Sequence, residues 1–556
     1  MDFRRATHLT ALRTQSFDLL VVGGGITGLG VALDAAARGL SVALVERDDF
    51  SSGTSSKSSK LAHGGLRYLQ QGEVRLVYEA LHERQRMLRN APHLVQVMPF
   101  MIPILTKDGV ISKKIARALG SALWMYDLTG GWRIGKLHRR LRAKAAHAHF
   151  PTMPADRLSS GYLYYDATVD DSRLCIAVAR TAAELGATIV NRCAVTKITH
   201  GANGNANGAL VRTAEGEEFS VSATTIVNAG GVWADEVRTA DEGRDPHSIR
   251  PAKGVHITIP WDKARNDIAV VIPVRRDRRS LFVVPWIKNP DGTYRYTYVG
   301  TTDTDFAGDV DESQCSVDDI DYILEALNQS ITTNVTRDDV TAVWSGLRPL
   351  VRQADGSPTS DKTADLSRNH KVAVSKSGVV SITGGKLTTF RKMAEHTVDE
   401  VCARLGRRTK SKSTRLALIG GRNFDRSLLE GPNAHLAQRY GTELDRVLAI
   451  ASESPAFSRP LVDGLPYLAA EAIFAVRHEM ALSLDDVLSR RTRARIVDRR
   501  ASLASARQVA ELIAPELGWT PQDVEAQVRE FVDSCAREEA AGVVSEAEYL
   551  ASTRQD

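Results

Sequence analysis

The sequence predicts a mixed α/β fold with an inserted, mainly antiparallel β domain and an all-α C-terminal domain. Three observations carry this. Residues 18–46 alternate strand, glycine turn, helix and strand. Residues 250–343 are rich in short β patterns, among them His256-Ile-Thr-Ile259, Leu281-Phe-Val-Val284 and Tyr294-Arg-Tyr-Thr-Tyr-Val299. Beyond the polar basic linker Arg407-Arg-Thr-Lys-Ser-Lys-Ser413 the chain reads as mostly helical. At 556 residues it is too long for one core, so two or three domains are expected.

Asp18-Leu-Leu-Val-Val22 is a short apolar strand, and Gly23-Gly-Gly-Ile-Thr-Gly28 follows it at once. A helix is expected from about Thr27 to Arg38, stopped by Gly39, and Ser41-Val-Ala-Leu-Val45 is the next strand. Gly23 allows the tight turn, Gly25 lets a pyrophosphate approach the backbone, and Gly28 lets the helix lie close to the sheet. The helix N-terminus offers amides and partial positive charge to phosphates. Glu46 falls about 20 residues after the glycines, where a carboxylate can accept hydrogen bonds from a ribose. This order is that of a Rossmann-like dinucleotide-binding unit.

Hydrophobic content of 43% and charged content of 25% are ordinary for a soluble globular protein, and a net charge of +5 does not by itself call for nucleic acid. Cys175, Cys193, Cys315, Cys402 and Cys535 have no CxxC spacing, so neither a disulfide framework nor a metal site is expected, consistent with a reducing cytosol. The first residues lack the apolar core of a signal peptide, and no run of about 18 uninterrupted apolar residues occurs. The expected location is the cytoplasm or the cytoplasmic side of the membrane.

The stretch from Arg47 to Leu69 is rich in Ser, Gly and Lys. It follows the nucleotide-binding unit directly and runs into a helical segment at about 73–90, so it is read as a cofactor-wrapping loop rather than a linker. Within it, Thr54-Ser-Ser-Lys-Ser-Ser-Lys-Leu-Ala-His-Gly-Gly-Leu-Arg-Tyr-Leu69 resembles the signature of FAD-dependent glycerol-3-phosphate dehydrogenases. Lys253-Gly-Val-His256, Val299-Gly-Thr-Thr-Asp303, Trp344-Ser-Gly-Leu-Arg-Pro-Leu350 and Gly384-Gly-Lys-Leu-Thr-Thr-Phe-Arg391 resemble the same family in the same order. So do Val476-Arg-His-Glu-Met-Ala-Leu482 and Arg490-Arg-Thr-Arg493 in its helical tail. Where many relatives carry Ala-Thr-Gly, this chain has Ala229-Gly230-Gly231, a small departure that should be tolerated.

The resemblance implies FAD, bound by Gly23, Gly25, Ile26, Thr27, Gly28, Glu46 and Arg47. Thr54, Ser55, Ser58, Ser59, Lys60, His63, Gly64 and Gly65 would wrap it, joined by Val195, Ala229, Gly230 and Trp233. Gly384, Gly385, Lys386, Leu387 and Thr388 would lie at the flavin, where a helix N-terminus can stabilise negative charge on the reduced ring. Arg67, Tyr68, His256, Arg348 and Lys386 would form the substrate site. Arginine suits a phosphate dianion because it donates two parallel bonds, so Arg67 and Arg348 are assigned to phosphate and Lys386 to a bridge between substrate and flavin. His256 is the expected base, with Arg348 and Lys386 as the other catalytic groups. The alternative is that Arg348 or Lys386 polarises the hydroxyl and its proton leaves through water.

Residues 109–155 contain one acidic residue, Asp127, against nine Lys and Arg. Ile111, Ile115, Leu119, Leu123 and Tyr126 form an apolar stripe beside Trp124 and Met125, with Lys113, Lys114 and Arg117 off it. Arg133, Lys136, Arg139, Arg140, Arg142 and Lys144 follow. A basic amphipathic helix of this kind can lie on an anionic membrane surface, and an ordinary surface helix is the alternative. No motif accompanies the charge to suggest nucleic acid.

The expected domains are thus a nucleotide-binding part in three pieces (17–110, 166–245, 345–406), the membrane-associating segment 111–165, a substrate cap 246–344 and a helical domain 414–556. By resemblance the chain oxidises sn-glycerol 3-phosphate to dihydroxyacetone phosphate, passes electrons to a membrane quinone and forms a homodimer. Two other readings stay open: an oxidase releasing hydrogen peroxide, and a flavin-binding sensor or scaffold without catalysis.

Overall fold

The structure is a computed structural model that describes residues 3–66, 73–105, 113–277, 279–352 and 370–553. A short helix, α1 (Arg5–Thr14), leads into β1 (Ser16–Val22), α2 (Ile26–Ala37) and β2 (Val42–Val45). Next come β3 (Leu61–Ala62), α3 (Val74–Asn90), β4 (Val95–Ile104), α4 (Lys113–Thr129), β5 (Arg139–Arg142), α5 (Ala143–His149) and β6 (Ser160–Val169). Then follow α6 (Asp171–Glu184), β7 (Thr188–Val190), β8 (Cys193–His200), β9 (Ala206–Thr213), β10 (Glu218–Asn228) and α7 (Ala234–Glu242). The rest of the α/β part is β11 (Ile249–Pro260), β12 (Ala269–Pro273), β13 (Ser280–Lys288), β14 (Tyr294–Gly300), β15 (Thr304–Asp305), α8 (Val317–Asn328), β16 (Ala342–Val351), β17 (Lys371–Val374), β18 (Val380–Thr383) and α9 (Phe390–Arg404).

Among the described residues the first sheet runs β17-β18-β10-β1-β2-β7, with the β8–β9 hairpin added beside β10. Its centre is parallel: Val21 of β1 is level with Leu44 of β2 and Val227 of β10, and Val227 with Val380 of β18. Parallel strands are covered on both faces, which is why Leu19-Leu-Val21 is apolar without alternation and fully buried. The helix after Gly25 is apolar almost all round because it is sandwiched between this sheet and α6 and α9. A Cβ on Gly30 would come 2.9 Å from the Phe390 ring of α9.

The second sheet runs β15-β11-β14-β13-β12-β4-β6-β3, with β16 on β11 and β5 on β6. It is antiparallel except where β12 meets β4. The expected cap, 246–344, supplies β11–β15; β3–β6 and most of β16, from outside that span, complete the same sheet. Residues 111–165 also depart from the expected picture. Their helix ends at Thr129, glycines at positive φ follow (Gly130 and Gly135), and β5 and β6 then join the sheet.

The apolar stripe of α4 faces inward. Leu119, Leu123 and Tyr126 are buried with Val77, Leu81 and Tyr164, because a neighbouring apolar surface is available to them. Trp124, Met125 and Leu128 face outward, at 57, 45 and 75% exposure. Ile111 lies outside the described residues, as do the side chains of Lys113, Lys114, Ile115 and Arg117.

Helices Ala434–Tyr440, Leu444–Glu453, Ala469–Glu479, Ala494–Val497, Arg499–Leu517, Pro521–Ala541 and Glu546–Ser552 (α10–α16) follow the linker. They enclose apolar cores of their own around Phe474 and Phe531. This part docks on α6 through buried ion pairs, Arg173–Glu479 at 2.6 Å and Arg180–Glu443 at 2.5 Å.

Candidate active site

A cavity of about 450 Å³ lies between the two sheets. Its nucleotide side is the turn after β1. Gly23 has φ of +111°, and a Cβ there would meet the Ala229 carbonyl oxygen at 2.6 Å. Gly28 does not reach the cavity: a Cβ on it would lie 2.0 Å from the Gly23 oxygen, so its role is the close approach of α2 to the turn. Gly25, Ile26 and Thr27 line the cavity at the start of α2, where helix amides and partial positive charge attract phosphate. Ile26 N donates to Ser55 Oγ at 2.9 Å, tying this turn to the Ser-rich loop.

Glu46 ends β2 at the cavity wall. Its carboxylate accepts from Gly24 N (2.6 Å) and Asp48 N (2.8 Å). Burial nevertheless pushes its pKa up to about 7, against the pull of those two amides. The loop after it contributes Arg47, Thr54, Ser55, Ser58, Ser59 and His63 to the lining, and Val195, Ala229, Gly230 and Trp233 add to it from β8 and the β10 turn. Gly384 and Gly385 both take positive φ, and with Lys386, Leu387 and Thr388 they lead the chain into α9 along the cavity. Thr388 Oγ1 accepts the amide of His63 at 3.2 Å, joining the two loops.

Three sequence-predicted cofactor residues do not line the cavity besides Gly28. Gly64 stands behind it, its amide donating to Tyr126 Oη at 3.1 Å and Asp166 Oδ1 at 3.2 Å. Gly65 continues that turn at φ +78°. Lys60 is buried, 3.4 Å from the Asp171 carboxylate and 4.4 Å from the centre of the Trp344 ring. Burial is the main cause that brings its pKa down to about 8, with Asp171 opposing.

The second sheet brings the proposed catalytic groups to the same cavity: His256 from β11 and Arg348 from β16 face it together with Lys386. The Ser59 hydroxyl lies 2.9 Å from His256 Nε2, and among the described residues Nδ1 has no hydrogen-bond partner. Burial first, then Lys60 and Arg348, hold the imidazole pKa well below its usual value, so the ring is neutral near pH 7. Arg348 donates to Asp303 Oδ1 at 3.0 Å and to Thr301 Oγ1 and the Thr302 carbonyl, both at 3.2 Å. Arg67 and Tyr68 lie outside the described residues.

Trp344, Asp303 and Lys253 stand inside the family motifs, where the sequence shows no role for them. Trp344 is parallel to the His256 ring, Asp303 holds Arg348, and the Lys253 carbonyl accepts from Arg348 at 3.4 Å. Alternation along β11 puts Lys253 and His256 on opposite faces, a signal that was readable.

The residues fit a flavin adenine dinucleotide: a glycine turn at a helix start, an acidic strand end, a polar wrapping loop and a second glycine turn share one cavity. Residues 18–391 match the family model described as FAD dependent oxidoreductase, and 411–524 that of the C-terminal domain of alpha-glycerophosphate oxidase. A glycerol-3-phosphate dehydrogenase of Mycobacterium leprae is 38% identical over 95% of this chain and 89% of its own length. The human mitochondrial glycerol-3-phosphate dehydrogenase is 37% identical over 93% of this chain and 72% of its own length. The structure of the Bacillus halodurans glycerol-3-phosphate dehydrogenase complexed with FAD has a TM-score of 0.75 at 28% identity, covering 97% of each chain. The Mycoplasma pneumoniae L-alpha-glycerophosphate oxidase shares the fold, with a TM-score of 0.54 at 16% identity over 72% of this chain and 97% of that one. This chain belongs to the FAD-dependent glycerol-3-phosphate dehydrogenase family, and FAD is its cofactor.

Proposed function

We propose that the protein oxidises sn-glycerol 3-phosphate to dihydroxyacetone phosphate and passes the electrons to a membrane quinone. The observation that carries this reading is the meeting of His256, Arg348 and Lys386 on the cavity that also holds the dinucleotide-binding turn. When bound, FAD supplies the acceptor for the hydride of the carbinol C–H. Arg348, its guanidinium fixed by Asp303, and Lys386 give that side of the cavity the positive charge a phosphate ester requires. His256 is the base for the hydroxyl proton. Its Nε2, 2.9 Å from the Ser59 hydroxyl that lines the same cavity, takes the proton through that hydroxyl.

The quinone part of the proposal is supported by the outer surface of α4. Trp124, Met125, Leu128 and Leu137 are exposed beside the exposed cations Lys136, Arg139, Arg140 and Arg142, a composition suited to an anionic membrane surface. No helix among the described residues is long and apolar enough to cross a membrane.

The test is anaerobic bleaching of the flavin absorbance by sn-glycerol 3-phosphate, followed by reoxidation with a soluble quinone or with air. Rapid bleaching and quinone-selective reoxidation are expected. Fast peroxide formation in air would make the protein an oxidase, and absence of bleaching would overturn the substrate assignment.

A further inference from the structure

The loop that wraps the cofactor is held from behind by the C-terminal helices. Along residues 47–60 the side facing the cavity carries Asp48, Ser52, Thr54, Ser55 and Ser58, whereas Asp49, Ser51 and Ser56 do not line it. The loop has little regular structure of its own beyond one turn at Thr54–Ser56, and Ser51 and Lys60 sit at positive φ, +65° and +56°. Such a conformation persists only where surrounding groups enforce it.

Ser51 is tied to Gly24 and Ser172, and Lys60 to Asp171, while the segment 490–493 holds the loop at Asp49 and Ser56. Asp49 Oδ2 accepts from Arg490 Nε and Arg491 Nη1, both at 2.6 Å, and Oδ1 accepts from Arg491 Nη2 at 2.9 Å. Arg493 donates to the Ser56 carbonyl, and at 3.1 Å to Asp171 Oδ1. The other oxygen of Asp171 accepts from the Ser58 amide (3.1 Å) and hydroxyl (2.7 Å). Asp49, Arg491, Arg493 and Asp171 are each at most 2% exposed. Among the described residues, nothing beyond Met393 lines the cavity, so these arginines act on the loop and not on the ligand.

We propose that the C-terminal domain is a clamp on the cofactor site, in which Arg490, Arg491 and Arg493 are positioning residues for the FAD-wrapping loop. Docking of this domain and binding of FAD then stabilise each other. The coupling is reciprocal by linkage: if the docked domain orders the loop for FAD, bound FAD favours the docked domain. The ion pairs suit this task because they are directional and because a buried carboxylate deprived of its partner has no water to replace it. The C-terminal domain thereby has a role in loading the enzyme while contributing no atom to the cavity wall.

Two measurements test the clamp. Amide hydrogen exchange of the full chain, with and without FAD, is expected to show at least tenfold slower exchange in residues 486–497 when FAD is bound. Equal exchange there would overturn the coupling, and this arm uses the unaltered chain, so it stands whether or not variants fold. Asp49→Asn and Arg491→Met are expected to raise the FAD dissociation constant, read by flavin fluorescence, at least tenfold, with Arg491→Lys closer to the parent. An unchanged dissociation constant in a variant that keeps the parent's circular dichroism and single melting transition would overturn the clamp.

Discussion

Trp344 lies flat against His256, with ring centroids 4.7 Å apart and planes inclined by 6°. The stack and the Ser59 hydroxyl fix the imidazole plane, while burial keeps the ring neutral. His256→Gln is expected to lower the rate of flavin reduction by sn-glycerol 3-phosphate about 10²–10³-fold, with FAD still bound. Because the histidine pKa is depressed, the parent rate should show no acid limb near pH ~6.5, where a free histidine titrates. Stopped-flow reduction across pH checks both points, and an acid limb at that pH would sink the neutral-base reading.

Gly28→Ala should be purified without flavin or fail to accumulate, since its methyl group would sit 2.0 Å from the Gly23 oxygen. Gly39→Ala is the control. Gly39 takes φ +88° but has open space around a Cβ, so only backbone strain of about 1 kcal/mol is expected. Flavin absorbance per mole of purified protein separates the two variants.

Glu46 provides a pH signature in the apoprotein. Its folded pKa, about 7, lies above that of the unfolded chain, so the protonated form favours folding. This contribution is complete below the unfolded carboxylate range and is lost as pH rises through about 7. Glu46→Gln should therefore gain stability over the parent between pH ~5 and ~8, by about 1–2 kcal/mol, because part of the group faces the water of the cavity. The same variant should bind FAD more weakly. Melting of both apoproteins across pH provides the check, and a constant difference would refute the assignment.

The last helix reaches the substrate side through Lys253. Its buried ammonium is 2.6 Å from Asp319 and also bonds Glu546, and its carbonyl accepts from Arg348. Removing residues 545–556 should leave the FAD content unchanged and raise KM for sn-glycerol 3-phosphate about three- to tenfold. Loss of about 0.6–1.4 kcal/mol of positioning corresponds to that range. Steady-state kinetics with a soluble acceptor would decide, and an unchanged KM would remove Glu546 from the site's support.

On α4, Trp124→Ser with Leu128→Ser should reduce sedimentation with vesicles containing anionic lipid and slow turnover with a membrane quinone. Activity with a soluble acceptor should persist, because neither side chain is buried. Equal sedimentation of parent and variant would place any membrane contact elsewhere.

Much of this was legible from the chain. The βαβ unit from Asp18 to Glu46 was readable because glycines, apolar strands and an acidic strand end are local features. The family motifs also pointed to His256, Arg348 and Lys386. Less legible was anything set by long-range packing. The Leu119–Tyr126 stripe has the same periodicity whether it meets lipid or protein, and only the presence of Val77 and Leu81 beside it decides for the core. Lys60 reads as a cofactor-wrapping residue from its place in the motif, but Asp171, far along the chain, draws its ammonium behind the cavity. Arg490 and Arg491 lacked meaning until Asp49 appeared opposite them.

The position of β10, with β1 on one side and β18 on the other, sets a schedule for synthesis. At about 5–20 residues per second, β18 leaves the ribosome roughly 20–70 s after β1. Through that interval the nascent chain carries an open apolar sheet edge, and the second glycine turn of the cavity does not yet exist. The complete flavin site can therefore form only after translation has passed Gly384 and Gly385. Cells starved of riboflavin should accumulate full-length chains that are protease-sensitive, not shortened ones.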